Sequence, residues 1–207
     1  MKVIVLCSGG LDSLVTSELY LNLGYEVKLL YIDYQNKNAD IEYNKLCKYY
    51  NRKKDSGANI ELASETINLG FLKPFTSSSE NDYVPMRNLI FSAIALSLAD
   101  AESVEKVALG FIHVENGYMD ADEQFIKGLN TLLAGTPMEV EAPLINASKL
   151  KVAKLANQFG FKVADFYTCE FPKSNGDACG VCDKCRDFKA VEEIIQPRAC
   201  ITSAENI

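Results

Sequence analysis

The chain has 207 residues, a length that favours one compact domain or a domain with a small appendage. Its 48% hydrophobic content is enough for a packed core, yet no run approaches the ~18 consecutive apolar residues of a membrane helix. A net charge of -7, with one basic cluster at Arg52-Lys53-Lys54, argues against a broad nucleic-acid surface and for a small substrate.

Met1-Lys2 leads straight into Val3-Ile4-Val5-Leu6-Cys7, too short for the apolar region of a secretory signal and without a small-residue cleavage site. The run reads as a buried strand, and the protein as cytoplasmic. A helix is expected over 11–23, stopped by Gly24, then a strand over 27–32. A helix around 41–50 follows, with Arg52-Lys53-Lys54 marking its solvated C-terminal end. A third strand is expected at 59–63. The serine-rich stretch 75–81 reads as a loop at the site, just ahead of Val84-Pro85-Met86-Arg87-Asn88. Beyond it come a helix over 89–99, a strand over 106–109, a helix near 123–133 and a short strand over 138–141. A last helix runs from Ser148, as N-cap, to Phe159, with Gly160 as its stop. After Tyr167 the chain has glycine, proline and cysteines but little periodicity, as in a small metal-stapled lobe. Such alternation predicts an α/β fold: a parallel sheet with helices on both faces, Rossmann-like, binding ligands at the carboxyl ends of its strands. The expected division is 1–165 for the α/β domain and 166–207 for the C-terminal lobe, packed on the same domain. There is no internal repeat and no low-complexity tract.

Ser8-Gly9-Gly10-Leu11-Asp12-Ser13 falls between the first strand and the first helix. Two glycines allow close backbone approach to an anion, and the helix N-terminus offers unpaired N–H groups and a positive dipole. Ser8 and Ser13 add hydroxyls. Asp12 would repel a polyphosphate unless it organises the loop or holds magnesium. The Lys-Ser/Thr pair of a P-loop NTPase is missing. A glycine turn with a capping serine is the plainer alternative.

Cys169, Cys179, Cys182 and Cys185 form a C-x9-C-x2-C-x2-C series, while Cys7, Cys47 and Cys200 are scattered. Four thiolates at such spacing can close a tetrahedral zinc site in a reducing compartment, with Gly180 allowing the sharp turn. An iron–sulfur cluster or redox-active pairs are the competitors. The single histidine, His113, reads as an ordinary strand-end residue.

With both motifs in hand, the chain resembles the 7-cyano-7-deazaguanine synthase family of the PP-loop ATP pyrophosphatase superfamily, of the adenine nucleotide alpha-hydrolase-like fold. Besides residues 8–13, the likeness includes Asp33-Tyr34, Val84-Pro85-x-Arg87-Asn88, Gly117-Tyr118-x-Asp120, Glu141-x-Pro143-Leu144 and the four cysteines. It implies catalytic roles for Ser8, Asp12, Ser13 and Arg87. It implies ATP contacts from Cys7, Ser8, Gly9, Gly10, Leu11, Asp12, Ser13, Asp33, Arg87, Asn88 and Gly110. Tyr118 would pack on a flat base, and Asp120 would accept hydrogen bonds from its guanine-like edge. Read without the resemblance, residues 117–120 are a surface turn. Three departures stand out: Met86 replaces a family glycine, Gln35-Asn36-Lys37-Asn38 replaces Gly-Gln-Arg-His, and Ala121-Asp122 replaces Cys-Arg.

The implied reaction joins ATP with magnesium, 7-carboxy-7-deazaguanine and ammonia. An acyl-adenylate forms and ammonia displaces AMP to give the amide. A second ATP activates the amide oxygen, and its loss leaves the nitrile. Structural zinc, a homodimer, and no stable nucleic-acid or membrane partner are also implied. The competing readings are a related adenylating amide ligase, a tRNA-modifying enzyme, and a zinc-stapled binding module without catalysis.

Overall fold

The computed structural model describes residues 1–70, 84–112 and 118–195. The stretch 75–81, His113, Gly117 and Cys200 lie outside the described residues.

Among those residues the chain alternates β1 (Lys2–Leu6), α1 (Leu11–Asn22), β2 (Glu26–Asp33), α2 (Ala39–Asp55), β3 (Ile60–Thr66) and α3 (Arg87–Ala101). It continues with β4 (Lys106–Leu109), α4 (Glu123–Leu132), β5 (Glu139–Glu141), α5 (Lys149–Gln158), a 3₁₀ turn (Val163–Asp165) and α6 (Asp183–Ile195). The strands pair in the order β3-β2-β1-β4-β5, every neighbouring pair parallel, with Val3 opposite both Val27 and Lys106.

The near-continuous apolar runs of β1 and β2 suit strands covered on both faces. Successive side chains divide between two cores. Val3, Val5, Val27, Leu29 and Tyr31 face Leu14 and Val15 of α1, Leu46 and Tyr49 of α2, Val152 and Ala156 of α5, and Val191 and Ile195 of α6. Ile4, Leu30, Ile32, Val107 and Leu109 face Ala95 and Ala99 of α3 and Leu129 of α4. Burying each such aliphatic side chain contributes about 1.5–3 kcal/mol. Helices therefore cover both faces of the sheet.

Two expectations need revision. The helix expected around 41–50 extends to Asp55 and takes the basic cluster into its last turn. Those residues are tied rather than simply solvated: Arg52 Nη1 bonds Asp165 Oδ1 at 2.8 Å, Lys53 pairs with the buried Glu18, and Lys54 Nζ donates to the Ile60 carbonyl at 3.3 Å. The stretch after Tyr167 is not without periodicity, since it carries α6, whose Cys185, Val191 and Ile195 are buried. No helix among the described residues is long and apolar enough to cross a membrane.

From β1 the chain winds outward to β2 and β3, then crosses to β4 and β5 on the other side. Connections leaving β1 and β4 diverge there, and in open parallel sheets that divergence leaves a crevice at the strands' carboxyl ends.

Candidate functional site

The first wall of the crevice is the turn from β1 into α1. Gly10 is the N-cap of α1 in an extended conformation, so the helix opens with its first N–H groups unpaired toward the crevice. Gly9 has φ +76°, and a Cβ there would lie 2.6 Å from the Glu42 carbonyl oxygen. Gly110, just past β4, sits so close to α1 that a Cβ would meet Ser13 N and Cα at 2.9 Å. Both close approaches bar any side chain.

Within the turn, Ser13 Oγ donates to the Gly10 carbonyl at 3.0 Å, and Cys7 Sγ lies 3.5 Å from Ser13 Oγ. Burial pushes the Cys7 thiol up. The Asp12 carboxylate is gripped by Lys149 Nζ at 2.9 and 2.7 Å. The sequence reading did not single out Lys149. Its signal was a lysine directly after the Ser148 N-cap, where the helix dipole disfavours a cation and some other partner must compensate.

Two cavities meet behind this turn. One, of about 250 Å³, is lined by Cys7, Ser8, Gly10, Asp12 and Ser13 from the turn, Arg87 and Asn88 from α3, and Gly110. The other, of about 210 Å³, is lined by Asn36, Asn38, Tyr118, Asp120, Glu170 and Lys184 among others. Tyr34, Glu42, Arg87 and Asn88 front both. Three residues expected at the nucleotide line neither: Gly9 packs on α2, Leu11 is buried in the core, and Asp33 Oδ1 accepts the Gln35 N–H at 2.7 Å.

Arg87 opens α3. Its Nη1 donates to Tyr34 Oη at 2.8 Å, and its guanidinium stands 5.2 Å from the Tyr34 ring centroid and 5.9 Å from that of Phe91. The residue before it, Met86, adopts the left-handed conformation at φ 51°. Gln35 does the same at φ 61°. Asp120 is 4% exposed, and its Oδ2 accepts the Asn88 N–H at 2.9 Å, so it caps α3 from across the cavity. Tyr118 stands 57% exposed at the rim.

Glu42, in the first turn of α2, was missed by the sequence reading. Burial pushes its carboxyl up, opposed by Asn36, whose Nδ2 lies 3.4 Å from Oε2, and by the Arg87 charge. Among the described residues no cation comes within ion-pair distance of it. No motif marked it, because an acidic residue in a helix's first turn is ordinary.

The ligating sulfurs of Cys169, Cys179, Cys182 and Cys185 all lie within 4.8 Å of one another, with Cys179 and Cys185 at 3.9 Å. Tetrahedral ligation at a Zn–S distance of ~2.3 Å puts sulfurs about 3.8 Å apart, so this set fits a four-thiolate metal. Cys179 Sγ accepts the Val181 and Cys182 N–H groups at 3.4 and 3.3 Å, which pulls its thiol down and favours the thiolate a metal needs. Asn38 Nδ2 donates to the Cys169 carbonyl at 2.7 Å and ties the cluster to the N-terminus of α2.

Comparison with known proteins agrees with this arrangement. The family described as queuosine biosynthesis protein QueC matches residues 2–192. The 7-cyano-7-deazaguanine synthase of Campylobacter hominis is 30% identical over 204 residues, covering 90% of this chain and 92% of that one. Its counterpart in Campylobacter fetus is 31% identical over 206 residues, covering 89% of each. Among solved structures, the U34-tRNA thiolase NcsA of Methanococcus maripaludis superposes with a TM-score of 0.59 at 16% identity, over 94% of this chain and 70% of that one. At that identity the likeness is one of fold. Because the family match runs from the first strand into α6, over residues 2–192, the chain belongs to the QueC family of queuosine-biosynthesis enzymes.

Proposed function

We propose that the chain converts 7-carboxy-7-deazaguanine, ammonia and ATP into 7-cyano-7-deazaguanine through an acyl-adenylate. The common wall of the two cavities carries this reading, since Tyr34, Glu42, Arg87 and Asn88 face both spaces. The phosphates take the turn of residues 8–13, the base takes the second cavity, and carboxylate and α-phosphate meet at Arg87. Ser8 and Ser13 supply hydroxyls, the α1 N-terminus supplies N–H donors, and Asp12 with Lys149 sets the shape of the turn. Gly9, Leu11 and Asp33 shape the turn and its neighbourhood without touching the nucleotide. Arg87, stacked and already oriented by Tyr34, stabilises charge at the transferring phosphorus as a fixed donor. Tyr118 covers the base, and Asp120 reads its edge.

The carboxylate oxygen attacks the α-phosphorus and pyrophosphate leaves. Ammonia then displaces AMP, giving the amide. The amide oxygen then attacks the α-phosphorus of a second ATP, pyrophosphate leaves, and departure of AMP with loss of the two N–H protons leaves the nitrile. Positioning and electrostatics account for the rate, so no histidine is required. Magnesium arrives on ATP as part of the substrate, which agrees with an Asp12 already occupied by Lys149. The four cysteines hold zinc, whose contribution is to staple α6 and the segment before it onto the domain of residues 1–165. The protein works in the reducing cytoplasm, as a homodimer, without a stable nucleic-acid partner.

The test is pyrophosphate release and mass-spectrometric product identification with ATP, ammonia and a panel of carboxylated bases. Release is expected only with 7-carboxy-7-deazaguanine, ending in the nitrile. A product that stops at the amide, or release with a different base only, would replace this reading with that of another adenylating ligase.

A further inference from the structure

The two cavities share one carboxylate, that of Glu42. Glu42 sits where the phosphate-turn cavity and the second cavity meet. Its backbone is used, the N–H bonding the Asn38 carbonyl at 2.9 Å and the carbonyl packing under Gly9. Among the described residues its side chain makes a single long contact, to Asn36 Nδ2 at 3.4 Å. A carboxylate held in a mostly buried wall with no ion-pair partner among the described residues costs stability, and such costs concentrate where a protein moves protons.

We propose that Glu42 is the base that takes the protons shed by the incoming nitrogen, in both halves of the reaction. This rests on the function proposed above. In the first half the ammonia nitrogen forms the C–N bond, the C–O bond to AMP breaks with its electron pair leaving on AMP, and one N–H proton passes to Glu42. In the second half the C–O bond of the adenylated amide breaks in the same sense. The amide nitrogen carries two protons: one passes to Glu42 as the amide oxygen takes AMP and pyrophosphate leaves, and the other as the C–O bond breaks and the triple bond closes. Each proton returns to water before the next step, so one carboxylate serves both.

The surroundings suit that task. Burial raises the proton affinity of Glu42, while Arg87 on α3 opposes it. Asp33 at the end of β2 adds to the rise, and the neighbouring Tyr31 donates its hydroxyl to the Ala39 carbonyl at 3.0 Å rather than to Glu42. Farther along the walls, Asp12 is neutralised by Lys149, and Asp120, Glu170 and Lys184 line only the second cavity. A base with affinity above that of an ordinary carboxylate accepts a proton from nitrogen more readily near neutral pH.

The experiment compares Glu42→Gln with the parent on ATP and 7-carboxy-7-deazaguanine. Three rates are measured: the pyrophosphate burst without a nucleophile, amide formation from ammonia, and trapping by hydroxylamine, a nucleophile far less dependent on base assistance. Glu42→Gln should keep the burst and the hydroxylamine rate, while the ammonia-dependent rate falls roughly 100- to 1,000-fold. At constant free ammonia the parent's rate should fall as pH drops through the Glu42 titration, and Glu42→Gln should lose that acid limb. Glu42→Asp should recover part of the rate. Loss of the burst, an equal fall with both nucleophiles, or an unchanged ammonia rate would overturn the proposal. A parent that releases no pyrophosphate with this base overturns the functional reading itself, and this inference with it.

Discussion

Asp120 carries two demands on one carboxylate. Its Oδ2 caps α3 through the Asn88 N–H, and its residue lines the second cavity. The two demands separate by substitution. Asp120→Ala removes the cap and should lower stability by about 1 kcal/mol in denaturant unfolding. Asp120→Asn retains an acceptor oxygen for the cap and should cost far less, yet it presents a donor to the base's N–H edge. An unpaired donor of that kind costs ~1–3 kcal/mol, or roughly ten- to a hundred-fold in base-dependent pyrophosphate release at unchanged ATP affinity. If Asn leaves the specificity constant alone, Asp120 is a cap and nothing more. Two other residues show where this chain departs from its family. Met86 and Gln35, at positions where the family resemblance leads one to expect glycine, both adopt positive φ. A side chain in that conformation costs on the order of 1–3 kcal/mol, held in place by the surrounding structure. Both flank the Tyr34–Arg87 pair, so the strain sits at the common wall of the cavities.

At the scale of elements, the start of α1 is positioned by β4 through Gly110. The approach is backbone to backbone, which leaves no flexible side chain to give way. Gly110→Ala should push the first turn of α1 outward, destabilise the protein by about 1–3 kcal/mol, and weaken ATP binding because the N–H groups no longer converge. Calorimetric ATP titration together with thermal unfolding would check this. Wild-type affinity and stability would mean that α1 tolerates the shift. α5 contributes to the same place from another direction. Lys149, at its first position, reaches back to Asp12 and ties the phosphate turn to a helix 137 residues later in the chain.

For the whole molecule, α6 is the decisive addition. Val191 and Ile195 belong to the same core as β1, β2 and α1, and Cys185 in the first turn of α6 belongs to the thiol cluster. Through Asn38, the cluster also touches the N-terminus of α2, the helix that carries Glu42. Metal removal should therefore loosen α6 and unsettle the second cavity together. Elemental analysis should find zinc, one per chain. Strong chelation or Cys182→Ser should lower the melting temperature by roughly 10 °C, the equivalent of a few kcal/mol at this size. Iron in the preparation, or no metal in a well-folded one, would refute the zinc assignment. An unshifted melting temperature on chelation would refute its structural role.

Much of this was legible in the residues. The alternation of apolar runs with helical periods predicted the doubly covered parallel sheet, since strands buried on both faces cannot be built from polar residues. The edges of β4 and the Ser148 cap matched, because caps and short apolar runs are local signals. The four cysteines could be grouped by spacing alone. α6 was missed because the cysteines, glycines and proline ahead of it mask a short amphipathic pattern whose apolar positions become meaningful only against α5. Glu42 and Lys149 were missed for a related reason. Each is an ordinary charged residue in a helix's first turn, and its significance comes from what lies opposite it in space. The sequence by itself determined the layers, the glycine turn of residues 8–13 and the thiol set, because each leaves a local signal of periodicity, composition or spacing. Only the tertiary structure decided which charges meet across the crevice, because that depends on how β1, β4, α2, α3 and α5 converge from distant parts of the chain.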